Sequence, residues 1–149
     1  MSKTGTLYLN ESASASRVGG RAENQDNYGC TNTPFGQLFV VCDGMGGGPG
    51  GRTASTTAVN VFIQSVVDAD ESMSCQDIMV HAAEVANGTL LQLMDEHEEL
   101  RGMGTTLVAI LFNSQAAIVA HVGDSRLYHL RGRKVLFRTA DHSMVGEMV

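Results

Sequence analysis

Two stretches with helical spacing lie back to back in the middle of the chain, and no strand-like run separates them. Small and apolar residues at Ala54, Ala58, Val61, Phe62 and Val66 step by three and four, the spacing that turns one helix face toward an apolar surface. "DADES" (68–72) stops that stripe. Ser74, with Asp77 three residues on, resembles a capping box and opens a second stripe at Ile78, Ala82, Val85, Thr89, Leu90 and Leu93. It runs toward "DEHEELRG", and Gly102 and Gly104 close it. On either side the period falls to two or the run is continuously apolar. "GQLFVVC" (36–42) reads as a buried strand ended by glycines, and "TTLVAILF" (105–112), "NSQ" and "AAIVAHV" (116–122) read as a hairpin. Residues 126–139 read as a second hairpin about "RGR". A strand, two consecutive helices and then at least four sequential antiparallel strands exclude alternating βαβ winding. The expected class is α+β, with a helical hairpin on one face of an antiparallel sheet.

Composition decides what such a fold could bind. The 149 residues are 43% apolar and 17% charged, which is globular and the size of one domain. A net charge of -6 without any basic run leaves no electrostatic footprint for a nucleic acid or a membrane surface and makes cations the natural guests. No apolar run approaches the ~20 residues of a membrane span, and the polar, mixed first residues carry no secretory pattern, so the expected location is cytoplasmic. Cys30, Cys42 and Cys75 are odd in number and widely spaced, which reads as buried free thiols in a reducing compartment.

The loop after the first strand carries the chemistry. Asp43 stands at its mouth, and six of the eight residues 44–51 are glycine. "GGGPGGRT" (46–53) fits phosphate-loop spacing between a strand and a helix, apart from Arg52 where lysine is required. Pro49 removes one of the N–H donors such a loop needs, and Asp43 places negative charge beside the supposed anion site. A metal reading draws on a second aspartate placed alike: Asp124 also follows an apolar strand and also touches a glycine. Hard cations such as Mg²⁺ and Mn²⁺ want oxygen ligands, and a glycine beside the carboxylate permits close approach. For either aspartate alone, a turn or cap residue is the plain reading.

Five segments then occur in a familiar order. "RAENQDNYG" (21–29), "VVCDGMGG" (40–47), "GMGTTLVAIL" (102–111), "HVGDSRLYHLRG" (121–132) and "TADHS" (139–143) resemble the successive motifs of the PPM-type (type 2C), metal-dependent protein serine/threonine phosphatases, most like the short bacterial members. The resemblance implies an αββα sandwich, two antiparallel sheets flanked by helix pairs with the metal cluster at one edge. It implies that Asp43 bridges two ions, that the Gly44 carbonyl binds one of them, and that Asp26 holds metal-bound water. Arg21 would receive the substrate phosphate, a role suited to a planar guanidinium fork, and Asp124 would help bind a third, weaker ion. The implied cofactor is Mn²⁺ or Mg²⁺, the partner a phosphoprotein made by a Ser/Thr kinase, and the reaction direct attack of a metal-bound hydroxide on phosphoserine or phosphothreonine.

The chain departs from the family pattern at several places. Gln25 stands where an acid is common, Gly48 where a histidine follows the paired glycines, and Arg52 where an acid precedes the helix. No histidine is therefore at position 48 to protonate the leaving alkoxide, and His121 and His142 read as structural residues. "MDEHEEL" (94–100) around His97 reads as a solvated helix end, and the eight methionines as core filler. After "DHS" the chain enters a segment expected to be helical and stops. The family's further metal aspartates, in "SDG" and "G-x-DN" motifs, are not among the 149 residues. The expectation is a single, incomplete phosphatase domain over 1–149, inactive or weakly active alone, with bare sheet edges inviting dimerisation. The other reading is a non-catalytic relative that binds phosphoprotein without turnover.

Overall fold

The computed structural model describes residue 9, residues 11–46 and residues 48–142. The helix expected after "DHS" lies outside these residues. Strands β1 (Asp26–Thr33) and β2 (Gly36–Met45) form a hairpin, followed by helices α1 (Gly50–Val67) and α2 (Cys75–Glu96). A short 3-10 turn (Glu98–Leu100) leads to β3 (Gly104–Thr105), β4 (Leu107–Phe112) and β5 (Ala117–Val122), and then to β6 (Tyr128–Arg131) and β7 (Lys134–Arg138). The main sheet runs β1-β2-β4-β5, all antiparallel, and β3 extends it beside the end of β2. This is the expected α+β class, with one sheet, a separate two-stranded ribbon β6-β7 and one helix pair among the described residues.

The sheet buries one face because its alternation is one-sided. Leu38, Val40 and Cys42 from β2 and Leu107, Ala109 and Leu111 from β4 meet Ala58, Val59, Phe62 and Val66 of α1 and Ile78, Met79 and Ala82 of α2 in one core. Phe62, wholly buried, is the largest side chain there and sits on the stripe read from spacing. Ser74 caps α2 as expected, its hydroxyl accepting the Asp77 N–H at 3.1 Å. Among the described residues the opposite sheet face has no helices over it, and Tyr28 and Val41, paired across β1 and β2, are exposed there.

Four expectations need correction. First, β2 does not end at the glycines but continues through Asp43, Gly44 and Met45, because Gly44 and Met45 pair with Thr105 and Gly104 of β3. Second, α1 begins at Gly50, four residues before Ala54, the first position of its apolar stripe. Third, the two C-terminal hairpins do not join in one sheet: the loop 123–127 carries β6 away from β5. Fourth, Cys30 is exposed and Cys75 only half-buried, leaving Cys42 as the buried thiol, since Cys30 lies on the helix-free face of β1. The strand β1 itself was not foreseen.

Candidate active site

The site forms where three strand ends and one coil converge. Asp26 opens β1 and Asp43 stands directly opposite it near the end of β2. Two carboxylates placed as cross-strand neighbours repel, so the arrangement works against the sheet unless something between them carries positive charge. Burial pushes the Asp43 carboxyl above its ordinary range, and the hydrogen bond and charge of Asp26 and the charge of Asp124 push the same way, against the Arg21 guanidinium. Arg21, Asp26, Asp43, Gly44 and Asp124 all line one cleft of about 720 Å³. The five residues singled out in the sequence are thus brought to one place.

The backbone around Asp43 is held by a threonine that the sequence did not single out. Asp43 N–H donates to Thr106 Oγ1 at 3.0 Å, and Thr106 N–H donates back to the Asp43 carbonyl at 3.0 Å. The same Thr106 hydroxyl shares a hydrogen bond with Ser125 Oγ, one residue beyond Asp124. A 4% exposed side chain therefore joins the two aspartate-bearing segments. The available signal was the second of two threonines set directly before an apolar run in "GTTLVAIL".

Glycine next to Asp43 is a steric requirement. A Cβ on Gly44 would come 1.9 Å from the Gly51 carbonyl oxygen and 2.8 Å from that of Gln25. Backbone is packed on backbone here, and the Gly44 N–H donates to the Gln25 carbonyl at 3.1 Å. Gln25, noted only as a departure, latches the loop: its Nε2 donates to the carbonyls of Gly46 at 3.3 Å and Gly48 at 3.2 Å. Gly51 N–H donates to the Gly46 carbonyl and Thr53 N–H to Pro49. Two of the amides a phosphate loop would aim at its anion, those of Gly51 and Thr53, are taken up by carbonyls, which counts against that reading.

Arg52 reaches Glu23 at 3.4 Å across the mouth, so the acid missing from the helix start is replaced by a cation paired with the β1 approach. His121 and His142 stack with ring centroids 4.6 Å apart, away from the cleft lining. His97 sits 3.6 Å from Glu99 on an exposed turn. The segment 139–142 is tied to the Asp124 loop: Asp141 accepts two hydrogen bonds from the Arg126 fork, at 2.8 and 2.7 Å, and His142 N–H donates to Gly123.

Carboxylates and glycine backbone are the donor chemistry of a hard divalent cation, and the mutual strain of Asp26 and Asp43 is what such a cation would relieve. Their number falls short of a closed site. Among the described residues no three His, Cys, Asp or Glu side chains gather closely enough to hold one ion.

Comparison with known proteins bears on this cleft. The family model described as "Protein phosphatase 2C" matches residues 14–148. Protein phosphatase PhpP of Streptococcus pneumoniae is 36% identical over 132 residues, covering 87% of this chain and 53% of PhpP. The crystal structure of serine/threonine phosphatase Stp1 from Staphylococcus aureus superposes with a TM-score of 0.76 at 31% identity, over 87% of this chain and 52% of that one. The catalytic domain of the serine threonine protein phosphatase PstP in complex with 2 manganese ions gives 0.71 at 30% identity, over 86% and 54%. The chain spans about half the length of the relatives it matches. Motif order, a cleft built from those motifs and a match over nearly the whole chain agree, and the chain belongs to the protein phosphatase 2C family.

Proposed function

We propose that this chain supplies the phosphate-receiving and part of the metal-binding half of a metal-dependent phosphatase acting on phosphoserine and phosphothreonine in proteins. The observation that carries the reading is the facing pair Asp26 and Asp43 on a cleft that Arg21 also lines. Asp43, with the Gly44 carbonyl, would hold Mn²⁺ or Mg²⁺, Asp26 would orient water from the neighbouring strand, and Asp124 would contribute to a weaker position. The ions, when bound, supply Lewis acidity and an activated water. The chain's own residues do the rest. Arg21 offers a planar fork that donates to two phosphate oxygens and sets the phosphorus relative to Asp43. Thr106 fixes the Asp43 backbone from both sides and, through Ser125, limits drift of Asp124. The interlocked glycines and Gln25 hold the loop in place at the cleft wall.

A second reading, phosphoprotein binding without turnover, is favoured by one observation: the described carboxylates do not form a three-ligand cluster. Phosphate release from a phosphothreonine peptide on adding Mn²⁺ separates the two. The hydrolase reading requires Mn²⁺-dependent release, slow in the 149-residue chain, that Asp43→Asn abolishes. Binding lost in Arg21→Ala with no release in any variant supports the second reading. Release that persists in Asp43→Asn overturns the metal assignment.

A further inference from the structure

The coil leading into β1 carries two arginines, and only one has been given a task. Asn24 Nδ2 donates to Ser16 Oγ at 2.8 Å and closes residues 16–24 into a loop. Within it the Arg21 N–H donates to the Val18 carbonyl at 3.4 Å, a tight turn with Gly19 at φ +64°. Such a turn keeps the Cα atoms of Val18 and Arg21 within ~7 Å, and Arg17 adjoins Val18, so the two arginine stems leave the loop at most about 11 Å apart. Both line the cleft that holds Asp43 and Asp124.

Their electrostatic settings differ. Arg21 acts on the Asp43 carboxyl, and Arg17 is not among the groups that do. Glu23, the acid on the same loop, is engaged by Arg52. Among the described residues Arg17 forms no salt bridge and no hydrogen bond through its guanidinium. A guanidinium at the cleft wall, with its fork uncommitted, is fitted to a phosphate or carboxylate of a ligand.

We propose that Arg17 is a specificity-determining residue, selecting phosphopeptides that carry a second negative group two or three residues from the phosphorylated one. The loop bounds the separation of the two arginine stems, and two or three residues of an extended peptide, at about 3.3 Å each, fall within that bound. The inference rests on the phosphopeptide reading above and adds the substrate's flank to it. Because Arg17 is exposed, the preference is modest and weakens with salt.

The test is fluorescence anisotropy of labelled phosphothreonine peptides with the 149-residue chain and Mn²⁺. One peptide carries Glu two and three residues away on both sides, one carries Ala there, and one is the unphosphorylated acidic peptide. The acidic phosphopeptide should bind roughly 1.5-fold to fivefold tighter than the Ala one at low salt. Arg17→Ala should erase that difference, Arg17→Lys should keep part of it, and Arg21→Ala should weaken both phosphopeptides alike. An undiminished preference in Arg17→Ala, or equal loss for both peptides, overturns the assignment of Arg17 and leaves the phosphopeptide reading standing. If phosphopeptides bind no better than the unphosphorylated one, the phosphopeptide reading itself fails and the assignment falls with it.

Discussion

Replacing Thr106 with valine should destabilise the protein by about 1–2 kcal/mol, although the two side chains have nearly the same shape. Thr106 is 4% exposed, and its hydroxyl accepts the Asp43 N–H at 3.0 Å while sharing a hydrogen bond with Ser125. Valine keeps the backbone bond from residue 106 to the Asp43 carbonyl, so the change isolates the hydroxyl. A donor left without a partner costs about 2 kcal/mol at mid-range, and the added apolar group returns at most ~0.8 kcal/mol, which leaves about 1–2 kcal/mol. Ser125 is half-buried and can turn to solvent, so Ser125→Ala should cost under about 1 kcal/mol. Because both changes delete the same hydroxyl pair, the double variant should fall short of the sum by at least ~0.5 kcal/mol. Thr106→Ser should retain near-native stability. The assay is urea unfolding followed by helical circular dichroism, with an unchanged slope as the check on two-state comparison. A Thr106→Val protein within about 0.3 kcal/mol of native, or an additive cycle, would refute the bridging role.

Other consequences concern the glycine contacts and the thiols. Gly44→Ala should cost about 1–3 kcal/mol or more, because its Cβ would stand 1.9 Å from the Gly51 carbonyl oxygen and must part β2 from α1. Gly88→Ala, in α2 with nothing within 4 Å of the added atom, should instead stabilise by up to ~1 kcal/mol; equal urea midpoints for the two variants would contradict the packing described. Burial pushes the Cys42 thiol up to about 12, so at pH 8 it should resist a disulfide reagent until the protein unfolds, while exposed Cys30 reacts at once. Native-state labelling of Cys42 at the rate of Cys30 would show that the helix layer does not seal the sheet.

The parts of the fold that show in the sequence are those where burial is one-sided. The α1 and α2 stripes, the Ser74 cap and the β4-β5 hairpin each carry the periodicity that packing on a single sheet face demands. β1 is hidden because "DNYGCTNT" is an edge strand with little apolar content, paired through backbone to β2 alone. The extension of β2 past Gly44 is hidden because glycine reads as a stop, whereas here it admits Gly51 and Gln25 to backbone contact. For the site, motif resemblance named Arg21, Asp26, Asp43, Gly44 and Asp124, and the cleft gathers all five. It did not name Thr106 or the Gln25 latch, whose roles depend on hydrogen bonds spanning 63 and 21 residues that no local pattern records. The break between β3 and β4 at Thr106 likewise follows from its bonds to Asp43.

The central claim is that Asp43 holds a divalent cation at the floor of the cleft. The direct measurement is Mn²⁺ titration of the 149-residue chain, read as loss of the free-ion electron paramagnetic resonance signal, with Asp43→Asn in parallel. Hard cations want about 6 oxygen ligands, and Asp43 and the Gly44 carbonyl supply few of them, so binding should be weak, in the millimolar range. It should be saturable and should vanish in Asp43→Asn. Identical titrations for the native chain and Asp43→Asn would contradict the account, because the facing carboxylates would then have no cation to relieve them.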